Sequence, residues 1–305
     1  MSAPTVEIVE VALRDGLQNE PVVLPTADKL RLLDGLLAAG ARRLEIASFV
    51  HPRLVPAMAD AEAVLAGARR LPGVTYAGLV LNRRGLERAL AAGVDEIDVV
   101  VCASDTFSRR NQNAGTEESM AEALEIVADA RAAGLAATVT IATAFGCPFE
   151  GEIDPARVLG LARRALDAGA GEIAFADTIG CGVPDQVAHL ASAVREWGNP
   201  AGLRFHFHNT RNTGYANAWA AVEHGATALD ASVGGIGGCP FAPRATGNVA
   251  TEDLAYLLAR SGLATGLDLD ALCALSGTVG ELLGKQVPAL LPRAGTFPPS
   301  RVDVP

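Results

Sequence analysis

No stretch of this 305-residue chain approaches the roughly 18–20 consecutive apolar residues that a membrane-crossing helix needs, which argues against a membrane-spanning helix. The opening MSAPTVEIVEVALRDG has no basic segment followed by a long apolar one, and no Arg-rich transit pattern. A cytoplasmic protein is therefore expected. Cations are in deficit, with 25 Lys+Arg against 35 Asp+Glu and a net charge of −10. Nucleic acid is thereby excluded as the main partner, because neutralising phosphates takes clustered cations. A small anionic substrate, which needs only a local positive site, is not excluded. The five cysteines, Cys102, Cys147, Cys181, Cys239 and Cys273, are odd in number, widely spaced and contain no CxxC. That argues against a disulfide framework or a structural zinc site and fits reduced thiols. Charge is too sparse and hydrophobic content too high for disorder. No linker-like break divides the chain, so residues 1–305 read as one domain, with about 262–305 as a helical tail.

What is present is a repeat. Short β-like runs at 6–12, 43–48, 74–80, 96–102, 136–143, 172–177, 203–208 and 227–233 alternate with Ala/Leu-rich helical segments. The helices fall near 26–39, 57–70, 83–92, 116–133, 155–169, 184–197, 213–224 and 251–261. Five helices run through a glycine into the next strand, as in AAGARRLEIA, AAGVDEIDVV, AAGLAATVTI, DAGAGEIAFA and EHGATALDAS. Glycine there can take the left-handed conformation that stops a helix. Eight βα units predict an α/β chain folded as a closed parallel (β/α)8 TIM barrel; an open doubly wound sheet would not need that count. Chemistry on such a barrel sits on the loops that follow the strands.

Three clusters occupy those loops. Alternation puts His206 and His208 on one face of the seventh strand and Phe205 and Phe207 on the other. The phenylalanines suit the helix side, so both imidazoles point to the interior near the mouth, where they could share one divalent cation. The alternative is a hydrogen-bonded pair of core histidines. Asp15, in Arg14-Asp15-Gly16 after the first strand, could complete a mixed oxygen and nitrogen site suited to Mg²⁺ or Mn²⁺; alone, Asp-Gly reads as a turn. Arg14 would stand beside the cation, able to face an enolate or carboxylate oxygen, unless it is a surface ion-pair residue. The loop Gly234-Gly235-Ile236-Gly237-Gly238-Cys239-Pro240 has four glycines in five positions. It reads as a plain flexible loop, a phosphate cradle, or a lid that brings the Cys239 thiol to a substrate.

At these residues the chain resembles a known family. Arg14-Asp15-Gly16-Leu17-Gln18-Asn19-Glu20, SFVHPRLVPAMAD, ATAFGCPFEGEI, DTIGCGVP and SVGGIGGCPFAPRATGNVATEDL are similar to the motifs of 3-hydroxy-3-methylglutaryl-CoA lyases, within a superfamily of metal-dependent barrel lyases and condensing enzymes. The resemblance runs from about residue 5 to 285. The Gly-Gly-x-Gly-Gly-Cys-Pro loop is specific to the lyases, whereas the HxH pair is shared across the superfamily. The resemblance implies a divalent cation, Mg²⁺ or Mn²⁺, on Asp15, His206, His208 and Asn248. It implies catalytic roles for Arg14, Glu45, Asp177, His206 and Cys239, and substrate contacts from Arg14, Gly237 and Gly238. It also implies an acyl-CoA substrate, a homodimer or higher homo-oligomer, and a setting in leucine degradation or ketone-body metabolism. The reaction implied is cleavage of 3-hydroxy-3-methylglutaryl-CoA to acetyl-CoA and acetoacetate. Two departures bear on the substrate. Asn209-Thr210-Arg211 stands where the family has Asp-Thr-Tyr, and Pro243-Arg244 where it has small residues, so Arg211 and Arg244 are candidate contacts for a different acyl carboxylate or a CoA phosphate. A citramalyl-type thioester stays open on that account. A condensing transferase is the nearest rival, but it would lack Cys239 and carry a longer tail; a non-catalytic CoA-ester-binding barrel is more remote.

Overall fold

The computed structural model describes residues 6–198, 201–238 and 247–298. Eight parallel strands, β1 (Glu7–Glu10), β2 (Arg43–Ser48), β3 (Thr75–Val80), β4 (Glu96–Cys102), β5 (Ala136–Ala142), β6 (Glu172–Asp177), β7 (Gly202–Phe207) and β8 (Ala228–Ala231), pair in sequence order. The ring closes where β8 pairs with β1, Ala228 opposite Glu7. Around it run α1 (Thr26–Ala38), α2 (Ala61–Gly67), α3 (Arg83–Ala92), α4 (Asp105–Gln112), α5 (Thr116–Ala132), α6 (Pro155–Asp167), α7 (Pro184–Glu196), α8 (Gly214–Glu223) and α9 (Thr251–Arg260). The tail adds α10 (Leu269–Leu283) and α11 (Leu291–Ala294). This is the (β/α)8 barrel the repeat predicts. The repeat glycines Gly40, Gly93, Gly134, Gly169 and Gly225 all have positive φ, as a left-handed helix stop requires.

Two helix expectations need correction. The helix expected over 57–70 is a 3₁₀ turn, Pro56–Met58, followed by the seven-residue α2. Helix α4 has no counterpart among the predicted helices. Its segment DTFSRRNQ carries no apolar stripe and buries only Phe107 and Ser108. It forms because the Ser104 hydroxyl accepts the Phe107 N–H at its start (3.1 Å).

The strands alternate in an unusual sense. Aliphatic and aromatic residues such as Leu44, Ile97, Val139, Ile173, Phe205 and Phe207 are buried in the main apolar core. Among the alternate positions, which fill the barrel, several toward the strand N-termini are charged or hydroxylated: Arg43, Glu45, Glu96, Asp98, Thr138, Thr140, Glu172 and Arg204. Arg43 on β2 holds Glu96 of β4 (2.5 Å) and Glu172 of β6 (2.6 Å), with Thr138 of β5 donating to Glu96 (2.8 Å). Above them Arg204 of β7, 1% exposed, contacts Asp98 (3.0 Å), Glu172 (3.4 Å) and Asp230 (3.5 Å). Removing one partner from a buried ion cluster leaves an uncompensated charge. Arg43→Met should therefore lower the unfolding free energy by about 3–5 kcal/mol in urea denaturation; a loss below about 1 kcal/mol would show that the surviving carboxylates are solvated or protonated at little cost.

Candidate active site

At the strand C-termini lies a cavity of about 730 Å³, whose wall includes Arg14, Asp15, Asp98, His206, His208, Asp230 and Gly238. Asp15 and Arg14 sit on a π-helical turn, Ala12–Gly16, directly after β1. The turn is pinned from below. One oxygen of Glu10 accepts the N–H groups of Ala12 (2.9 Å) and Val233 (3.1 Å), and the other takes the Thr251 hydroxyl (2.7 Å). The same carboxylate thus anchors the Arg14–Asp15 turn and the root of the glycine-rich loop. Gly237 sits at φ +106°, and a Cβ there would fall 2.6 Å from Asn248 Nδ2 and 2.9 Å from Gly16 Cα. Glycine is required at this position, and the close neighbours are the chain's own Asn248 and Gly16. Gly238 lines the cavity, and its carbonyl accepts a hydrogen bond from Asn19 Nδ2 (2.9 Å). Cys239 and Arg244 lie outside the described residues.

Asp15, His206 and His208 bring one donor atom each to within 4.8 Å of one another. They are the one group of three His, Cys, Asp or Glu residues among the described residues that does so. His206 Nε2 lies 4.0 Å from Asp15 Oδ2, and its Nδ1 lies 3.1 Å from Asp230 Oδ2. Asn248 Nδ2 donates to Asp15 Oδ2 (2.8 Å) and to the Ile236 carbonyl (3.0 Å). Asn248 Oδ1 and His208 Nδ1 are buried with no hydrogen-bond partner among the described residues. Each such orphan costs about 1–3 kcal/mol. Unspent lone pairs beside a carboxylate fit a divalent cation, and this oxygen and nitrogen donor set suits Mg²⁺ or Mn²⁺. Charge is tuned the same way. Burial opposes ionisation of Asp15, but Arg14 and the two histidines outweigh it and hold the carboxyl well below the usual range. Burial, helped by the nearby His206, pushes His208 down to about 4, so its ring is neutral at pH 7, the form that binds a cation. Burial also pulls on His206, yet the hydrogen bond to Asp230 and the charge of Asp15 leave it raised.

Arg14 lines the cavity and is fixed from two sides, by Asp15 (Nη1 to Oδ1, 2.7 Å) and by Glu45 (Nε to Oε2, 2.7 Å). Burial lifts the Glu45 carboxyl against the pull of Arg14. Glu45 is not part of the cavity wall and reaches it through Arg14. Asp177 closes β6; its two oxygens accept the N–H groups of Cys181 (2.8 Å) and Gly182 (2.9 Å), and burial raises its pKa. Its neighbours Ala176 and Thr178 line the cavity. Arg211 is exposed, donates to the Ile179 and Gly180 carbonyls (3.0 and 2.9 Å), and is not among the residues of the cavity wall. The sequence reading passed over Asp230, Asp98 and Arg204. The signal was available: Glu96-x-Asp98 and Arg204-x-His206 alternate charged with apolar residues on strands that a barrel buries on both faces. It also passed over Arg109 and Arg110, which α4 brings to the cavity mouth.

Residues 5–279 match the HMGL-like family model. The chain is 46% identical to an (R)-citramalyl-CoA lyase of Chloroflexus aurantiacus, over 98% of each chain. It is 41% identical to a hydroxymethylglutaryl-CoA lyase of Bacillus subtilis, over 93% of this chain and 95% of that one. Among solved structures it is similar to an HMG-CoA lyase of Acinetobacter baumannii in complex with coenzyme A and 3-methylmalate, with a TM-score of 0.94, 40% identity, and 99% and 98% of the two chains covered.

Proposed function

The chain belongs to the HMGL-like family, and from that membership we infer that it is a carbon–carbon lyase that cleaves 3-hydroxy-3-methylglutaryl-CoA, or a close 3-hydroxyacyl-CoA, releasing acetyl-CoA. The observation that carries this reading is the meeting of Asp15, His206 and His208 under Arg14 at the mouth of the barrel. In the reaction the proton leaves the C3 hydroxyl, the C2–C3 bond breaks, C3 becomes a ketone, and its electron pair makes C2 a thioester enolate. Protonation of C2 then completes acetyl-CoA.

A divalent cation on Asp15, His206, His208 and Asn248 would supply Lewis acidity at the substrate hydroxyl. Arg14, held by Glu45 and Asp15, faces the thioester oxygen as negative charge develops. With His206 given to the cation, the hydroxyl proton falls to Asp177, whose burial-raised carboxyl suits a general base. Cys239, on the glycine-rich loop, supplies the proton to C2, and Gly237 and Gly238 let that loop pass close to the substrate. Cys239→Ser should bind cation and substrate yet lose about 10²-fold in kcat; near-normal kcat would move the proton donor elsewhere.

The 46% relative favours a second reading, cleavage of citramalyl-CoA to acetyl-CoA and pyruvate. That substrate has one carbon fewer between the carbinol and the free carboxylate. Purified protein with Mg²⁺ or Mn²⁺ and each thioester separates the two, by assay of acetoacetate and of pyruvate beside acetyl-CoA. Release of neither ketone would overturn both readings. Arg211→Tyr and Arg244→Gly, made singly, should change the ranking of the two thioesters by kcat/KM. An unchanged ranking in both variants would return these residues to the surface.

A further inference from the structure

We propose that Asp230 is a positioning residue of the metal centre: it accepts the Nδ1–H of His206 and so turns the Nε2 lone pair toward the cation. The proposal rests on the metal site inferred above and adds to it the group that decides which nitrogen of His206 can bind.

A carboxylate only accepts hydrogen bonds, so the 3.1 Å contact between His206 Nδ1 and Asp230 Oδ2 places the ring proton on Nδ1. The lone pair of the neutral ring is then on Nε2, the atom that faces Asp15 Oδ2. Their separation of 4.0 Å is too long for a hydrogen bond, so Asp15 does not use that lone pair. Without Asp230 the ring could carry its proton on Nε2 and present an N–H to the site.

Asp230 is well placed to fix the ring. It is 5% exposed, and it lies on β8 directly opposite His206 of β7 in the strand register. Both groups are therefore set by the sheet and not by a loop. Arg204, two residues before His206 on the same face of β7, stands 3.5 Å from the other oxygen of Asp230. Arg204 makes a shorter contact with Asp98 (3.0 Å), so Asp230 is not needed to neutralise it. Its closest contact is with the histidine. A carboxylate behind a ligating histidine is a common way to orient the ring and raise its donor strength, and losing it costs about 10- to 100-fold in metal affinity.

The test is Mn²⁺ binding to the metal-free full-length protein, read by the electron paramagnetic resonance of free Mn²⁺, with a melting curve for each variant. Asp230→Asn and Asp230→Ala should weaken Mn²⁺ binding about 10- to 100-fold. Glu172→Gln, which removes a different carboxylate from Arg204, should stay within about twofold of wild type. Raising Mn²⁺ to saturation should recover most of the lost kcat in Asp230→Asn, since only occupancy and aim are impaired. Wild-type Mn²⁺ affinity in a folded Asp230→Asn protein overturns the proposal while leaving the site intact. An equal loss in Glu172→Gln also overturns it, by showing a general effect of the buried charges. Failure of the wild type itself to bind Mn²⁺ overturns the metal site and this proposal with it.

Discussion

Stripping divalent cations from the purified enzyme should abolish acetyl-CoA release, and added Mg²⁺ or Mn²⁺ should restore it. Asp15, His206 and His208 converge from the ends of β1 and β7, and Asn248 Oδ1 and His208 Nδ1 are buried there with no hydrogen-bond partner among the described residues. Among the described residues no lysine lines the cavity to take over the polarisation of the hydroxyl; Arg14 is already paired twice. His208→Ala should weaken cation binding far more than it lowers the melting temperature, because it removes a ring whose Nδ1 has no hydrogen-bond partner among the described residues. Full turnover in metal-stripped protein with excess chelator would sink the assignment.

Arg14→Met should lower kcat by 10²- to 10³-fold, about 3–4 kcal/mol, the scale of losing one oxyanion donor. The argument is positional. The guanidinium is 8% exposed, lines the cavity, and is clamped on both sides before any substrate arrives, so no reorganisation is needed as the enolate forms. In the proposed reaction its charge acts on the oxygen that becomes negative, so KM should change little. Glu45→Gln keeps the cation but loosens its aim, and should cost less than Arg14→Met. A large rise in KM with kcat intact would instead show that Arg14 binds the ground state and the transition state alike.

The barrel was legible because its evidence is periodic: eight alternating runs and five glycine stops suffice without any side-chain detail. The candidate metal site was legible in outline because His206 and His208 share a face, a fact of strand geometry alone. Asp230 was not, because its partnership with His206 is a matter of register between β7 and β8, which no local pattern encodes. Helix α4 escaped for the opposite reason: it is held by a cap at Ser104 and by its place over β4, with almost no apolar face. Arg211 is a case in which position alone does not give the side chain's contacts. Its number lies three past His208, yet its side chain serves the backbone of the β6 loop.

The charged filling of the barrel constrains how this sequence can change. An apolar interior drifts one residue at a time, since volume-conserving swaps cost little. Arg43 and Arg204 do not have that freedom, because neutral replacement of either strands buried carboxylates among Glu96, Glu172, Asp98 and Asp230. Their substitutions should be strongly non-additive: a damaging change at Arg43 should be offset by a second change at Glu96 or Glu172, with a coupling of about 0.5–3 kcal/mol in a double-mutant cycle. Over evolutionary time such positions can only move together, so the interior of the barrel should vary as a block while the helix-facing side of the same strands varies residue by residue.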